Sequence, residues 1–358
     1  MKKQLILAIN PGSTSTKIAV YDEQEKLLEE SIQHTAEELN KFDDIMDQYS
    51  FREKYILDEL AKDGINLHDI RIIVGRGGLL RPIPSGIYRI NDKMKDDLHK
   101  GAASTQHAAN LGGLIADALA SDIDEAEAFV ADPPVVDEMD DVARITGHPL
   151  FTRKPIFHAL NQKAIARKHA RQVGKSYEDL NLIVAHMGGG ISVASHKKGR
   201  IVDVNNALDG DGPFSPNRSG SLPMGDMIKL CFSGQYTLKE VKKMMVGQGG
   251  MMAYLGTDDV REVLKRKEEG DGEAGMVLDA MIYQVAQSIG AMFTVLEGEV
   301  DGIVLTGGIA YNQVIVDQLE KRVGKLGPLY VYPGEDEMEA LAMNGLMVLN
   351  GQIEAHEC

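Results

Sequence analysis

Tryptophan is absent from the 358 residues, and aromatic side chains make up only 5% of them. A platform of stacked rings for bases or sugars is therefore not expected. Cysteine is scarce too. Cys231 and the terminal Cys358 cannot build a disulfide framework or a cysteine-rich metal site. Positive charge falls well short of negative: 38 Lys and Arg against 54 Asp and Glu leave −16, which argues against nucleic acid and anionic membranes as partners. No apolar run reads as long enough to span a membrane. Met1-Lys2-Lys3-Gln4 followed by Leu5–Ile9 imitates a signal peptide, but the apolar core is too short, and Asn10-Pro11-Gly12 stands where a small-residue cleavage site belongs. A cytoplasmic location is expected. The ten histidines show no zinc spacing; His34, His68, His99, His107, His148, His169 and His196 are scattered, and most are expected to be solvated. Gly174-Lys175-Ser176 imitates the end of a P-loop, but His169 occupies the required upstream glycine position.

What is present is a recurring unit of apolar strand followed by a glycine-bearing turn. Leu5–Ile9 and Ile18–Tyr21 flank Asn10-Pro11-Gly12-Ser13-Thr14-Ser15-Thr16-Lys17. Gly12 lets backbone N–H groups approach an anion, the hydroxyls donate hydrogen bonds and Lys17 adds charge, so the hairpin reads as a phosphate cradle. A second copy runs from Leu182–Ala185 through His186-Met187-Gly188-Gly189-Gly190 to Ile191–Ala194. A third apolar run, Gly302–Leu305, ends in Thr306-Gly307-Gly308-Ile309-Ala310. Three such units predict two related halves closing on one nucleotide.

The rest of the pattern is α/β. The charged stretch 35–64 has helical spacing and ends at Gly64; Ile70–Val74 is a strand delivering Gly75-Arg76-Gly77-Gly78. Helices are predicted over 102–119, 160–173, 236–245, 257–268, 274–297 and 338–349, with 274–297 apolar enough to be buried. Phe129–Ala131 is a strand halted by Asp132-Pro133-Pro134, which holds a carboxylate at a strand tip. Residues 203–225 form a long polar loop and are expected to be functional, and 329–332 a last strand. A chain of this length with 43% hydrophobic residues exceeds what one core usually serves. The 17 methionines, Met244-Met245 and Met251-Met252 among them, are expected as core filler, some of them candidates to line an acyl pocket. Two lobes are predicted, 1–150 with 338–358, and 151–337.

Together these motifs resemble the acetate and butyrate kinase family, within the sugar kinase, Hsp70 and actin superfamily, over essentially the whole chain. The first hairpin is similar to that family's Asn-x-Gly-Ser-Ser-Ser-x-Lys signature. Phe157-His158, His186-Met187-Gly188-Gly189-Gly190 and Asn217-Arg218-Ser219-Gly220 follow in the family's order. Gly189 stands where acetate kinases carry Asn, and Ala159-Leu160-Asn161 where they carry Gly-Thr-Ser. The run from Ala207 to Gly220, Val74–Gly78 and Ala131–Val136 are similar to the butyrate branch. The resemblance implies a two-lobed ribonuclease H-like fold with duplicated mixed-sheet domains. It implies reversible phosphoryl transfer from ATP, with Mg²⁺, to butyrate or a similar short-chain acid, with acetate, propionate or a branched-chain acid as the alternative substrate and a non-catalytic ATP-dependent switch of the actin or chaperone kind as the alternative class.

A carboxylate acceptor is already ionised at pH 7 and needs no general base; the site must supply position and positive charge. Arg76 and Arg218 are the candidate forks, with Arg81 competing for the role of Arg76. The resemblance assigns His158 a hydrogen bond to the transferring phosphoryl group and Asn10 a contact to it or to the Mg²⁺ shell. Asp132 is assigned to hold Mg²⁺ or orient the His and Arg. Glu337 is the second metal candidate, in a register that slides among Glu335, Asp336, Glu337 and Glu339. Nucleotide contacts are expected from Gly12, Ser13, Thr14, Ser15, Lys17, His186, Gly188, Gly189, Gly190, Gly307, Gly308 and Ile309, with Lys17 open to a structural reading instead. The long apolar helix makes a homo-oligomer an expectation.

Overall fold

The computed structural model describes residues 4–100 and 108–357. The first residues of the helix expected at 102–119, His107 and Cys358 lie outside them. By chain contacts the molecule divides into two units. The first runs to Asp137, takes in Ala159–Asn161 and resumes at Asp336. The second holds Glu138–His158 and Gln162–Glu335.

In the first unit, β1 (Leu5–Pro11), β2 (Ser15–Asp22) and β3 (Glu25–Gln33) form an antiparallel meander. β4 (Ile70–Arg76) and β6 (Glu127–Ala131) extend it in parallel with β1, and the short β5 (Ile87–Arg89) closes the edge, giving the order β3-β2-β1-β4-β6-β5. Every residue of β1 is buried, because both faces of the sheet are covered. Leu5, Leu7 and Ile9 share a core with Ile56 and Leu60 of the helix Tyr49–Lys62 and with Leu111 and Ile115 of the helix Asn110–Ser121. On the opposite face the helix Glu337–Leu349 comes so close that a Cβ on Gly345 would meet the side chains of Ile72, Val74 and Ile6 at 2.9–3.1 Å.

The second unit repeats the plan. β7 (Asn181–Met187), β8 (Ile191–Lys197) and β9 (Arg200–Val204) are antiparallel neighbours; β10 (Gly302–Gly307) and β11 (Leu329–Pro333) lie parallel to β7, in the order β11-β10-β7-β8-β9. Numbered within each unit, the sheets run 3-2-1-4-6-5 and 3-2-1-4-5; both share the order 3-2-1-4 followed by one more parallel strand, which is the duplicated mixed-sheet α/β fold expected from the sequence. The helix Gly272–Val295 covers one face through Val277, Leu278, Met281, Ile282, Val285 and Ile289, packed on Ile183, Ala185 and Val193. Ile165, Ala166 and Ala170 cover Leu182 and Val184 on the other.

Several elements differ from expectation. The helix Gly272–Val295, 24 residues long, is by length and composition apolar enough to cross a membrane, although no such run stands out in the sequence. Glu273, Asp279, Gln284 and Gln287 break the linear run without breaking the buried stripe, and that stripe is occupied by the core of its unit. β3 escapes sequence reading because it is a charged edge strand on which only Leu28 is buried. Asp203 and Val204, placed in the long loop, belong to β9. Helices Asp92–Lys100, Met224–Cys231 and Gln313–Val323 were not expected; Met224–Cys231 has no buried residue at all. Of the seven scattered histidines six are described and divide evenly: His68, His99 and His148 are exposed, whereas His34, His169 and His196 are buried. Their rings are taken up by hydrogen bonds to Thr16, Tyr332 and Tyr177.

Candidate functional site

In both units the candidate residues collect at the carboxyl ends of the parallel strands, where open α/β sheets bind ligands. Asn10 is the penultimate residue of β1, Arg76 ends β4 and Asp132 follows β6. Asn10 Nδ2 donates to Glu337 Oε2 at 2.6 Å, and Arg76 Nη1 donates to Asn10 Oδ1 at 3.2 Å. The Arg76 guanidinium grips Glu337 with both terminal nitrogens, each 3.1 Å from a carboxylate oxygen. Glu337 opens the helix Glu337–Leu349, where a carboxylate also suits the positive end of the helix dipole. Of the four acidic residues at this boundary, Glu337 is the one against Arg76. Arg81 goes elsewhere: its fork is held by Asp97 at 2.7 and 2.5 Å.

Asp132 is only 1% exposed and sits in a left-handed backbone conformation at φ 37°, which is costly for a non-glycine residue. Its Oδ1 accepts from Ser85 Oγ at 2.6 Å and from the Gly86 N–H at 2.9 Å, and its own N–H donates to the Gly86 carbonyl at 3.0 Å. Those bonds hold the bend that the two prolines begin.

The first hairpin closes through the Gly12 N–H to the Ser15 carbonyl at 2.8 Å, leaving Ser13 and Thr14 exposed at its tip. Asn10 and Lys17 are direct cross-strand partners and so share a sheet face; Lys17 is exposed there. Thr16, one position back, is buried on the other face and meets a residue that sequence reading missed. Arg52, 0% exposed, donates to the carbonyls of Ser15 and Ser13 at 2.9 and 3.2 Å, to Thr16 Oγ1 at 3.0 Å and to Gln48 Oε1 at 2.8 and 3.1 Å. Burial pulls its guanidinium down to about 10. Because C=O and N–H point oppositely across a trans peptide, holding the Ser13 carbonyl inward aims the Thr14 N–H outward at the tip.

In the second unit the turn Gly188–Gly190 carries Arg218. A Cβ on Gly190 would lie 2.1 Å from Arg218 Nη1, so only glycine lets the guanidinium rest on this turn. Ser215 Oγ donates to the Gly189 carbonyl at 2.6 Å, and Arg218 Nη1 donates to the Ala207 carbonyl at 2.8 Å. Among the described residues Arg218 Nε is buried with no hydrogen-bond partner and no carboxylate pairs with the group; burial lowers its pKa. A half-buried guanidinium with no acidic partner and an unused buried donor is suited to an anion.

His158 precedes the helix Ala159–Gln172 and stacks on His186, with ring centroids 3.9 Å apart and planes 16° from parallel. His186 Nε2 is 3.1 Å from Glu335 Oε1, the acidic residue that follows β11. Gly307 adopts φ 87°, and a Cβ there would meet the Met187 carbonyl at 2.3 Å; Gly308 is exposed with nothing within 4 Å of its Cβ position. Gly307 and Gly334 exchange two backbone hydrogen bonds at 3.1 and 3.0 Å, which fixes the end of β10. Ile309 is buried beneath it. Arg52 had no sequence signal: it lies in the charged run Arg52-Glu53-Lys54, which reads as a solvated helix face.

Residues 144–340 match the model of the acetokinase family. Butyrate kinase 1 of Clostridium acetobutylicum is 52% identical over 352 residues, covering 98% of this chain and 99% of that protein. Butyrate kinase 2 of the same organism is 52% identical over 350 residues, covering 98% of each. Among solved structures, an acetate kinase from Porphyromonas gingivalis superposes with a TM-score of 0.81 at 17% identity, covering 97% of this chain and 100% of that one. That likeness is one of fold.

Proposed function

The chain belongs to the acetokinase family and is a carboxylate kinase; from that premise we propose that it moves the terminal phosphoryl group of ATP to butyrate or a closely similar short-chain acid. A carboxylate oxygen forms the new bond to phosphorus as the bond to the ADP oxygen breaks, giving an acyl phosphate, and the reaction runs in either direction. Butyrate is favoured over acetate or propionate by full-length identity above one half to proteins named butyrate kinase.

The observation that carries the reading is Arg218. Its half-buried charge has no carboxylate partner among the described residues and its buried Nε donor is unused, so an in-flight phosphoryl group supplies what the fold withholds. Arg76, with Asn10, serves the acid and phosphate side. His158 donates a hydrogen bond to an equatorial oxygen and is not the base, since the acceptor is already ionised. Ser13 and Thr14 at the hairpin tip and Gly188–Gly190 face phosphates, Gly12, Ser15 and Lys17 support that hairpin, and His186, Gly307, Gly308 and Ile309 serve the nucleotide side. The first unit is thus the acid and phosphate lobe and the second the nucleotide lobe.

Asp132, Glu337 and the Asn10 amide offer the hard oxygen donors that Mg²⁺ takes, and that ion usually keeps several waters. The lack of a three-ligand cluster among the described residues is compatible with this. Asp132 and Glu337 would hold it, and when bound it neutralises phosphate charge. Acyl hydroxamate formation from ATP and acids of two to six carbons tests the whole reading. Butyrate or a branched neighbour should give the highest kcat/KM, a best substrate of two carbons would replace butyrate by acetate, and no hydroxamate with any acid would overturn the proposal.

A further inference from the structure

A chain of buried polar groups leads away from His158 within the second unit. His158 Nδ1 is 3.0 Å from Ser192 Oγ, which is 2.9 Å from Gln162 Nε2. Gln162 Oε1 is 2.9 Å from His196 Nε2, and His196 Nδ1 is 2.7 Å from the Tyr177 hydroxyl. Gln162, Ser192 and His196 are all 0% exposed, so each donor needs an acceptor inside the protein.

One contact decides the direction of the whole chain. The end of the Gln162 amide next to Ser192 is also 3.1 Å from the Ser192 backbone carbonyl, which can only accept. That end must therefore be the NH₂ group, and its second proton goes to Ser192 Oγ. The Ser192 hydroxyl proton is then left with His158 Nδ1 as its acceptor. At the far end Gln162 Oε1 must accept, so His196 carries its proton on Nε2. Burial pushes His196 well below the usual histidine range, helped by Lys163 and Arg167, so its Nδ1 is a bare acceptor for the Tyr177 hydroxyl. The opposite polarity would set two oxygens, the Gln162 carbonyl and the Ser192 carbonyl, 3.1 Å apart with no proton between them.

We propose that Gln162 and Ser192 are positioning residues that hold His158 in the tautomer with its proton on Nε2. The proposal rests on the reading of His158 as a hydrogen-bond donor to the phosphoryl group. It adds the device that makes the ring a donor at one nitrogen only. Ser192 fills the Nδ1 lone pair, the stacked His186 ring fixes the plane, and the proton that a phosphoryl oxygen accepts is carried on Nε2.

The test is a long-range ¹H–¹⁵N correlation spectrum of the full-length protein labelled in histidine, at pH 7, with His158→Gln identifying the signals. The wild type should show a neutral ring protonated on Nε2. Ser192→Ala and Gln162→Met should each move both ring nitrogens of His158 toward the shifts of mixed tautomers. In the hydroxamate assay each should lower kcat about tenfold while leaving KM for ATP and acid within about twofold, as expected when only transition-state contact is lost. A wild-type ring protonated on Nδ1 would overturn the proposal, as would ring shifts unchanged in both variants. If one variant does not fold, the other and the wild-type spectrum decide. An Nε2 tautomer in a protein that makes no acyl phosphate would leave the relay standing and remove the reaction.

Discussion

Arg218 and Arg76 are the same residue type in opposite electrostatic situations. Arg76 is neutralised by a two-pronged contact with Glu337, so its charge is already partnered. Arg218 is half-buried with its Nε fully buried, is paired with no acid among the described residues, and rests on Gly190, where a Cβ would meet its guanidinium. A charge kept in that state contributes most where new negative charge develops, which is the transition state and not the bound ground state. Arg218→Ala should therefore lower kcat by about 10²–10³ with little change in KM for ATP. Arg218→Lys should recover little, because a point charge cannot reproduce the planar fork. Hydroxamate kinetics with circular dichroism as a folding control measure both. Near wild-type kcat in the alanine variant would remove Arg218 from the reaction.

At the scale of elements, the strand ends are where sequence was most informative. β1, β2, β7, β8 and β10 are buried on both faces, so their apolar runs and the glycine turns after them stand out. β3 and the helix Met224–Cys231 bury almost nothing, and no hydrophobic period marks them. Within the site, the motifs located Asn10, Arg76, Asp132, His158 and Arg218 as candidates. The choice of Glu337 among four neighbouring acids depends on where the last helix begins, which local sequence does not specify. Arg52, Gln162 and Ser192 were illegible for a different reason: each acts through a partner distant in sequence. The end of β10 offers an element-scale prediction. Gly307 cannot accept a side chain because of the Met187 backbone, whereas Gly308 has open space beside it. Gly308→Val should fold with an unchanged Tm and raise KM for ATP at least several-fold, with KM for the acid nearly constant. Equal changes in both constants would move the adenosine away from this turn.

Across the whole molecule, each sheet has its own covering helices, but the two units differ in how the chain supplies them. The second unit draws its described core from residues between Glu138 and Glu335. The first is discontinuous: its sheet is complete by Ala131, yet one face waits for the helix Glu337–Leu349 at the far end of the chain. Met338, Leu341, Ala342 and Leu346 of that helix are buried, and Gly345 allows it to seat directly on Ile6, Ile72 and Val74. Glu337, the partner of Arg76 and Asn10, is delivered by the same segment, so completion of this core and completion of the site are one event. Ending the chain after Asp336 should therefore expose an apolar sheet face whose loss costs far more than a typical domain's margin of about 5–15 kcal/mol leaves spare. Hydrogen exchange on the truncated chain should show β1 and β4 without protection while β7 and β10 keep theirs, and phosphoryl transfer should be absent. Protection retained in β1 and β4 would mean that the first sheet is stable without its last helix, and that Glu337 is dispensable to the fold that carries it.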